Sequence, residues 1–196
     1  MQNFIIEDWF STPIAFGYLP FPVDTNIVDH CLKYKKSTKG SKQPWHCDVF
    51  STYENLEFVK NRIFDDIRNF MLEKANEFLS HIINLDNMQL IEYCGWVNIS
   101  SKNNFQEVHI HEKNNISAVV YLKAEENNGD IVFLDKYYDS FPLPNIRNLK
   151  YNSRINYSPI TGKYLIFKSN TPHFVNKNFQ KTDRISLSLN YRIINN

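Results

Sequence analysis

The chain has 196 residues, a length that fits one domain with a single substantial hydrophobic core. Its formal net charge of +1 gives no electrostatic reason to expect a nucleic acid or another polyanion as the partner. The fractions of hydrophobic, charged and aromatic residues, 42%, 22% and 15%, are typical of a globular protein and suit a β-rich core.

The cysteines and the N-terminus bear on the cellular compartment. Cys31, Cys47 and Cys94 are an odd number, widely spaced and without a CxxC pair, which argues against a disulfide framework or a zinc site. The N-terminal residues MQNFIIEDWF carry acidic side chains where a signal peptide needs a basic start, and no segment approaches about 18 unbroken apolar residues. We therefore expect a cytoplasmic protein that is not inserted in a membrane.

Two amphipathic helices are predicted in the first half of the chain. Residues 26–36 follow a possible N-cap at Asp24 or Thr25. The residues that share their apolar face are Ile27, Val28, Cys31 and Leu32. A longer helix is predicted over residues 56–79, where apolar side chains return with the helical period of about 3.6 residues. Both helices are expected to pack on the outer face of a sheet.

From about residue 88 the pattern changes to short runs of β-forming residues. Strands are predicted over residues 88–100, 116–124, 129–135, 162–169 and 184–194. Gly129 follows two asparagines, which is turn chemistry and not a phosphate loop. Residues 136–158 show no clear periodicity and are predicted to form a long loop, of the kind that often serves as a lid.

The order of these elements predicts one domain over residues 1–196. Residues 1–87 would form a mostly helical support layer, and residues 88–196 would form the β core. Several short strands after a helical layer indicate a sandwich or a jelly roll with helices on one side. The fold class is therefore mainly β with flanking helices.

Histidines supply the first candidate site. His109 and His111 are the one close pair among six histidines, and residues two apart in a strand face the same side. Both imidazoles could then bind one metal, and the alternative is that they only form hydrogen bonds near a strand end. A third histidine, His173, follows a predicted strand and a turn.

The last predicted strand has one polar and one apolar face. Its polar face consists of Arg184, Ser186, Ser188 and Asn190, and its apolar face of Ile185, Leu187, Leu189 and Tyr191. A polar face headed by arginine suits the wall of a ligand cavity, because a guanidinium can pair bidentately with a carboxylate and a neighbouring hydroxyl can add a third bond. The alternative is an edge strand whose polar face lies in water.

Taken in order, these motifs resemble the 2-oxoglutarate/Fe(II)-dependent oxygenases of bacteria and tailed phages. The resemblance rests on WVN, on HxH followed by SAVVYL, on GDIVFLD, on P-x-TG-x-Y-L-x-F before His173, and on RxS with SLN at the end. It runs from Trp96 to Asn190, about half of the chain. Glu112 stands where the family favours Pro, Ala118 where it favours Gly, and Lys168-Ser169-Asn170 where it favours Pro-Ser-Trp.

The resemblance implies a double-stranded β-helix, or jelly roll, with Fe(II) held by His109, His111 and His173. It also implies that 2-oxoglutarate chelates the iron through its keto acid end and extends its far carboxylate to Arg184 and Ser186. Ascorbate is a candidate reductant. Further candidates for polar contacts with the co-substrate are Tyr121, Asn98 and Asn190, each of which could instead be ordinary packing in the cavity wall.

Many better-known members of this enzyme class carry a carboxylate at the position that His111 occupies, which completes a two-His-one-carboxylate set on iron. Strand alternation places His111, and not Glu112, on the face of His109. The sequence therefore predicts three histidine ligands. Two carboxylates are alternatives to His111 as the third ligand. They are Glu112, which a bulge could turn toward the metal, and Asp135 from the predicted strand 129–135.

Two other functions fit part of the pattern. A cupin-type dioxygenase can hold iron by three histidines without 2-oxoglutarate, but it assigns no role to Arg184 and Ser186. A non-catalytic β-helix module would have a structural metal or none. Protein side chains, nucleotides and small metabolites all remain candidate substrates, because specificity would lie in the loops, and the sequence does not indicate an oligomeric state.

Overall fold

The computed structural model describes residues 11–41, 46, 48–135 and 152–195. Within these ranges the helices are α1 (Thr25–Ser37) and α2 (Asp65–Ser80). The strands are β1 (Ile14–Tyr18), β2 (Phe50–Ser51), β3 (Met88–Ser100), β4 (Gln106–His109), β5 (Ile116–Lys123), β6 (Ile131–Leu134), β7 (Arg154–Tyr157), β8 (Lys163–Lys168), β9 (His173–Val175) and β10 (Arg184–Asn195).

The first helix agrees with its prediction. The Asp24 side chain accepts a hydrogen bond of 2.8 Å from the Asn26 N–H, and this cap sets the start of α1. Ile27 and Cys31 are buried on the predicted apolar face.

The second helix begins later than predicted. Residues 56–60 and 62–64 form 3-10 turns, and α2 starts at Asp65. The backbone of Asn61 leaves the helical region, with φ −59° and ψ 133°, and its side chain accepts a hydrogen bond from the Ile63 N–H. Asparagine favours such local bonds over a continuous helix, so the prediction was wrong before Asp65.

The described strands form two antiparallel sheets. The major sheet has the order β1-β8-β5-β10-β3-β2, and the minor sheet has the order β4-β9-β6-β7. All five predicted strands are present, with ends that differ by a few residues. β1 and β2 come from the half of the chain predicted to be mostly helical, and they form the two edges of the major sheet.

Four short strands, β1, β2, β7 and β9, were not predicted, and a strand at β4 was assumed only for the pair His109 and His111. The longest of them has five residues, which is too short for a periodic pattern to stand out in the sequence. β7 lies inside the predicted loop 136–158, so that prediction was wrong for residues 154–157. The part of the loop from 136 to 151 lies outside the described residues.

The hydrophobic core has two parts, one on each face of the major sheet. On one face, α1 and α2 cover the apolar residues of β10, as predicted for helices on the outside of the sheet. On the other face, Tyr121, Phe133, Leu165 and Phe167 join the major to the minor sheet. This two-sheet arrangement with flanking helices confirms the mainly β jelly-roll fold.

Two further predictions concern the cysteines and the membrane. Cys31 and Cys94 are free thiols, and Cys47 lies outside the described residues. None of the helices in the described ranges combines the length and the apolar character needed to span a membrane.

Candidate metal and co-substrate site

A cavity of about 650 Å³ lies between the major and the minor sheet. The major sheet lines it with the polar face of β10, and the minor sheet lines it with side chains of β4, β6 and β9. All of the residues predicted from the sequence to bind metal or co-substrate line this cavity. They are His109, His111, His173, Arg184, Ser186, Tyr121, Asn98 and Asn190.

The three histidines form one cluster in the cavity. His109 and His173 face each other across the pairing of β4 with β9, with ring centroids 4.3 Å apart. The ring of His111 lies 5.4 Å from that of His109 and 5.1 Å from that of His173. One ligand atom from each residue lies within 4.8 Å of the other two, so a single ion can contact all three.

The position of His111 differs from its prediction in one respect. β4 ends at His109, so the two histidines do not share a strand. The stretch after β4 is fixed by a hydrogen bond of 2.9 Å from the His111 N–H to the Ser169 carbonyl. This bond holds the main chain of His111 beyond the end of β4, and the ring of His111 lies beside the other two.

The Nδ1 atoms of the histidines all face hydrogen-bond acceptors. His109 Nδ1 lies 2.7 Å from the Glu107 carbonyl oxygen, and His173 Nδ1 lies 2.9 Å from the Thr171 carbonyl oxygen. A carbonyl only accepts, so each Nδ1 carries the proton and each Nε2 carries the lone pair. This is the tautomer in which Nε2 can bind a metal.

Burial keeps these rings neutral. Removal from water lowers the pKa of His109, although the hydrogen bond to the Glu107 carbonyl opposes this effect. Burial also lowers the pKa of His111 to about 4 and that of His173 well below the usual range. A metal binds the neutral imidazole, so protons compete weakly with a metal at neutral pH.

Arg184 is a buried cation at the start of β10, with 2% of its surface exposed. Its guanidinium donates hydrogen bonds to the Gly129 carbonyl at 2.7 Å and to Ser100 Oγ at 3.0 Å. Among the described residues its Nε–H has no acceptor, and none of their carboxylates forms an ion pair with it. Burial lowers the pKa of Arg184, yet a guanidinium stays charged at neutral pH.

A row of polar groups lies next to Arg184 on the cavity side. Ser186 pairs with Asn98 of β3 on one side and with Tyr121 of β5 on the other, so the three side chains line the cavity at one level. Burial raises the pKa of Tyr121 to about 12, and its hydroxyl therefore remains a donor. Arg184 and this row together present several donors to one end of the cavity.

Asn190 lies further along the same face and contacts the histidine cluster. Its Oδ1 lies 2.8 Å from His111 Nδ1 and also accepts a hydrogen bond of 2.8 Å from Ser117 Oγ. The residue is buried, and it lines the cavity near the histidine cluster.

Glu112 and Asp135, the two carboxylates that could replace His111 as a ligand, are not part of the converging histidine cluster. Glu112 lines the cavity, and Asp135 is exposed at the end of β6. Among the described residues, the histidine trio is the one group of His, Cys, Asp or Glu side chains whose ligand atoms converge closely enough for a metal.

Sequence reasoning missed several residues around the site. Ser117 bonds to His111, and the Gly129 carbonyl accepts a hydrogen bond from Arg184. Both contacts depend on the tertiary fold, so no local sequence pattern indicates them. Trp96 and Tyr53 form an aromatic wall near His111, and their ring centroids lie 5.1 Å apart in an edge-to-face arrangement. Trp96 was noted only as part of the family pattern.

The observed groups fit an iron(II) ion with 2-oxoglutarate. Three neutral imidazoles on one side of an ion leave its remaining positions open, as oxygenases with a facial triad of ligands require. The buried guanidinium, which has no carboxylate partner in the described part of the chain, can pair with the far end of a dicarboxylate.

Structural comparison places this fold among known oxygenases. A prolyl-4-hydroxylase of Pseudomonas putida has a TM-score of 0.65 at 13% identity, and the match covers 91% of each chain. The non-heme alpha ketoglutarate dependent carbocyclase SnoK of nogalamycin biosynthesis has a TM-score of 0.64 at 12% identity, with 92% of this chain and 79% of SnoK covered.

HygX of Streptomyces hygroscopicus, solved with nickel and 2-oxoglutarate bound, has a TM-score of 0.58 at 12% identity. That match covers 93% of this chain and 83% of HygX. At these identities the likeness concerns the fold.

Sequence comparison identifies the family. No curated protein matches the chain. The family model described as "Putative 2OG-Fe(II) oxygenase" matches residues 95–190, the segment that contains the three histidines, Arg184 and Ser186. Both comparisons agree with the site, and the chain belongs to the 2-oxoglutarate/Fe(II)-dependent oxygenases.

Proposed function

We propose that the chain is a hydroxylase whose Fe(II) is held by His109, His111 and His173 and whose 2-oxoglutarate is bound by Arg184 and Ser186. One observation carries this proposal: a buried guanidinium without a carboxylate partner among the described residues shares a cavity with three converging neutral imidazoles. Iron(II) with 2-oxoglutarate supplies dioxygen activation, and the oxidation of a substrate C–H bond accompanies release of succinate and carbon dioxide.

The charge of Arg184 supports the assignment of the co-substrate. A buried cation loses its hydration, and pairing with a carboxylate offsets part of this cost. Two of its donors are held by Gly129 and Ser100, which fixes the plane of the guanidinium and leaves other donors for a ligand. Ser186 and Tyr121 can each donate a further hydrogen bond to the same carboxylate.

The other end of the cavity supports an uncharged group as the substrate. Tyr53, Val108 and Ile110 line the cavity and are 51%, 56% and 42% exposed, so they add accessible apolar surface to a wall that also contains Glu112 and Lys113. Trp96 lies deeper, between Tyr53 and the ring of His111. These side chains would hold an apolar carbon group beside the metal and exclude water from it.

The choice of a first substrate follows from this surface and from the fold. An aromatic wall packs well against a saturated ring, and the Pseudomonas putida neighbour is a prolyl hydroxylase. We therefore propose peptides that contain proline as the first substrates to test.

The test is a succinate assay with Fe(II), ascorbate and 2-oxoglutarate, run with and without a panel of proline-containing peptides. We expect slow succinate release without peptide, and little release from the His173→Ala or Arg184→Ala variants. Stimulation by a peptide, with a gain of one oxygen in its mass, would identify the substrate.

The alternatives are separated by calorimetry, which measures the binding of the metal and of 2-oxoglutarate alongside the succinate assay. Iron binding without any binding of 2-oxoglutarate would contradict the proposal and favour a cupin-type dioxygenase. Binding of neither iron nor 2-oxoglutarate would contradict it and favour a non-catalytic module.

A further inference from the structure

We propose that Asn190 is a positioning residue that selects the tautomer of His111 and thereby makes the third nitrogen ligand available to the metal. This inference rests on the proposed function, because it requires His111 to be a ligand. The sequence resemblance suggested Asn190 only as a possible contact of the co-substrate.

His111 differs from the other two histidines in the source of its hydrogen bond. His109 and His173 each bond to the carbonyl of the residue two positions earlier, so their partners belong to the local main chain. His111 Nδ1 instead faces Asn190 Oδ1 at 2.8 Å and Ser117 Oγ at 2.9 Å. The tautomer of this histidine therefore depends on side chains that a substitution can change.

The chemistry of the pair determines which nitrogen of His111 is protonated. A neutral imidazole has one N–H, and an amide oxygen can only accept. Asn190 Oδ1 therefore holds the proton on Nδ1 of His111 and leaves the lone pair on Nε2, the nitrogen available to the metal. A donor in place of Oδ1 would favour the opposite tautomer, in which Nε2 carries a proton and cannot bind the metal.

The orientation of the Asn190 amide is itself fixed. Ser117 Oγ donates to Asn190 Oδ1 at 2.8 Å and lies 2.8 Å from Ser169 Oγ. Asn190 Nδ2 lies 3.8 Å from Cys94 Sγ, on the opposite side of the amide. If the amide flipped, Asn190 Nδ2 would face His111 and Ser117, and its N–H groups would stand where these residues now find an acceptor.

The network holds His111 at both its main chain and its ring. Asn190, Ser117 and Ser169 are buried, with 3%, 0% and 0% of their surfaces exposed. Ser169 also accepts the His111 main-chain N–H through its carbonyl. Because water has little access to these groups, a lost partner would not be replaced easily by solvent.

The experiment compares Asn190→Leu with Asn190→Asp. Leucine has a similar size but no acceptor, whereas aspartate keeps an acceptor and has no donor that could face the ring when ionised. Ser188→Ala is the control, because Ser188 is buried on the same face of β10 and lines the same cavity. Calorimetry measures Mn(II) affinity without co-substrate, and long-range ¹H–¹⁵N NMR of labelled histidine in the metal-free protein reports each tautomer.

We expect Asn190→Leu to weaken Mn(II) binding by about 10- to 100-fold, the usual effect of losing the hydrogen-bond partner of a metal-bound histidine. The NMR signals of His111 should lose the pure Nδ1–H pattern, while those of His109 and His173 keep it. Asn190→Asp should retain both the tautomer and Mn(II) affinity, and Ser188→Ala should leave both unchanged.

Specific results would overturn the proposal. Mn(II) affinity within about twofold of the parent in Asn190→Leu, with the Nδ1–H pattern of His111 retained, would contradict it. If Asn190→Leu does not fold, a tenfold loss of Mn(II) affinity or a changed tautomer in Asn190→Asp would contradict it equally. Full retention of Mn(II) by His111→Ala would contradict the proposed ligand set, and with it this inference. Loss of Mn(II) by His111→Ala but not by Asn190→Leu would contradict the positioning role alone.

Discussion

At the residue scale, His111 stands where many oxygenases of this class carry a carboxylate. A set of three neutral imidazoles leaves the metal site one charge more positive than a set that includes a carboxylate. Burial lowers the pKa of each of the three rings, so this neutrality is kept at physiological pH. The extra positive charge should favour an anionic co-substrate such as 2-oxoglutarate.

Metal titration of three single variants tests this ligand set. We expect His111→Ala to lose most of its affinity for Mn(II), because one of the three converging ligand atoms is removed. Glu112→Ala and Asp135→Ala, which replace carboxylates outside the converging group, should bind within about twofold of the parent. Loss of Mn(II) from either carboxylate variant, with His111→Ala unaffected, would show that a carboxylate is the third ligand.

The second residue-scale prediction concerns Arg184. The Arg184→Ala variant should still bind Mn(II). Its free energy of 2-oxoglutarate binding should be less favourable by about 2–5 kcal/mol, the usual cost of breaking a buried charged pair. Ser186→Ala removes a single hydroxyl and should cost about 1 kcal/mol. Calorimetry with the Mn(II)-loaded protein measures both. Unchanged affinity for 2-oxoglutarate in Arg184→Ala would remove this arginine from the binding site.

At the element scale, β10 shows how far the sequence could predict the site. Its alternation is complete, because every second residue from Arg184 to Asn190 lines the cavity and the residues between pack under the helices. Strict alternation is a local property, so it can be read without the fold. The same reasoning put His111 on the side of His109, where it lies, but β4 ends at His109, and the main chain of His111 is held by a hydrogen bond to Ser169.

The remaining errors have the same physical origin. The break at Asn61 arises because its side chain bonds to a nearby main-chain N–H, a competition that apolar periodicity does not register. The role of Gly129 was missed because its carbonyl meets Arg184 only after residues far apart in the chain are brought together. The turn at this position was predicted from the sequence, and the positive φ angles of Asn127 and Gly129 agree with it.

The element-scale prediction concerns the thermal stability of a Gly129 variant. The φ angle of Gly129 is +95°, and an added Cβ would collide with the Asn176 carbonyl oxygen, a main-chain atom that cannot move alone. Gly129→Ala should therefore unfold at a lower temperature than Gly162→Ala, which has a similar φ of +82° but no atom within 4 Å of the added Cβ. Gly162→Ala reports only the conformational strain, of order 1–2 kcal/mol.

The Gly129 substitution should also affect the co-substrate. A shifted Gly129 carbonyl would release one of the two hydrogen bonds that hold the Arg184 guanidinium. We expect 2-oxoglutarate affinity to fall in Gly129→Ala and to remain within about twofold in Gly162→Ala. Equal thermal stability and equal affinity in the two variants would contradict the predicted clash.

At the scale of the whole molecule, the histidine cluster lies where the two sheets meet. His109 and His173 belong to β4 and β9 of the minor sheet, whereas the ring of His111 is bonded to Ser117 and Asn190 of the major sheet. β4 is an edge strand of only four residues, with one neighbour in the described sheet. An ion bound by all three histidines would therefore link this short edge strand to the larger sheet.

The last prediction follows from this link. A ligand at about 100 times its Kd stabilises a protein by about 2.7 kcal/mol, because it binds only the folded state. For a chain of this length that corresponds to a rise in Tm of roughly 5–10 °C on saturation with Mn(II). Hydrogen exchange should slow most in β4 and β9, where Mn(II) suppresses local opening, and least in the centre of β10, which the helices already protect. His173→Ala is the control and should show neither effect. A rise in Tm without selective protection of β4 and β9 would mean that the metal binds without linking the sheets.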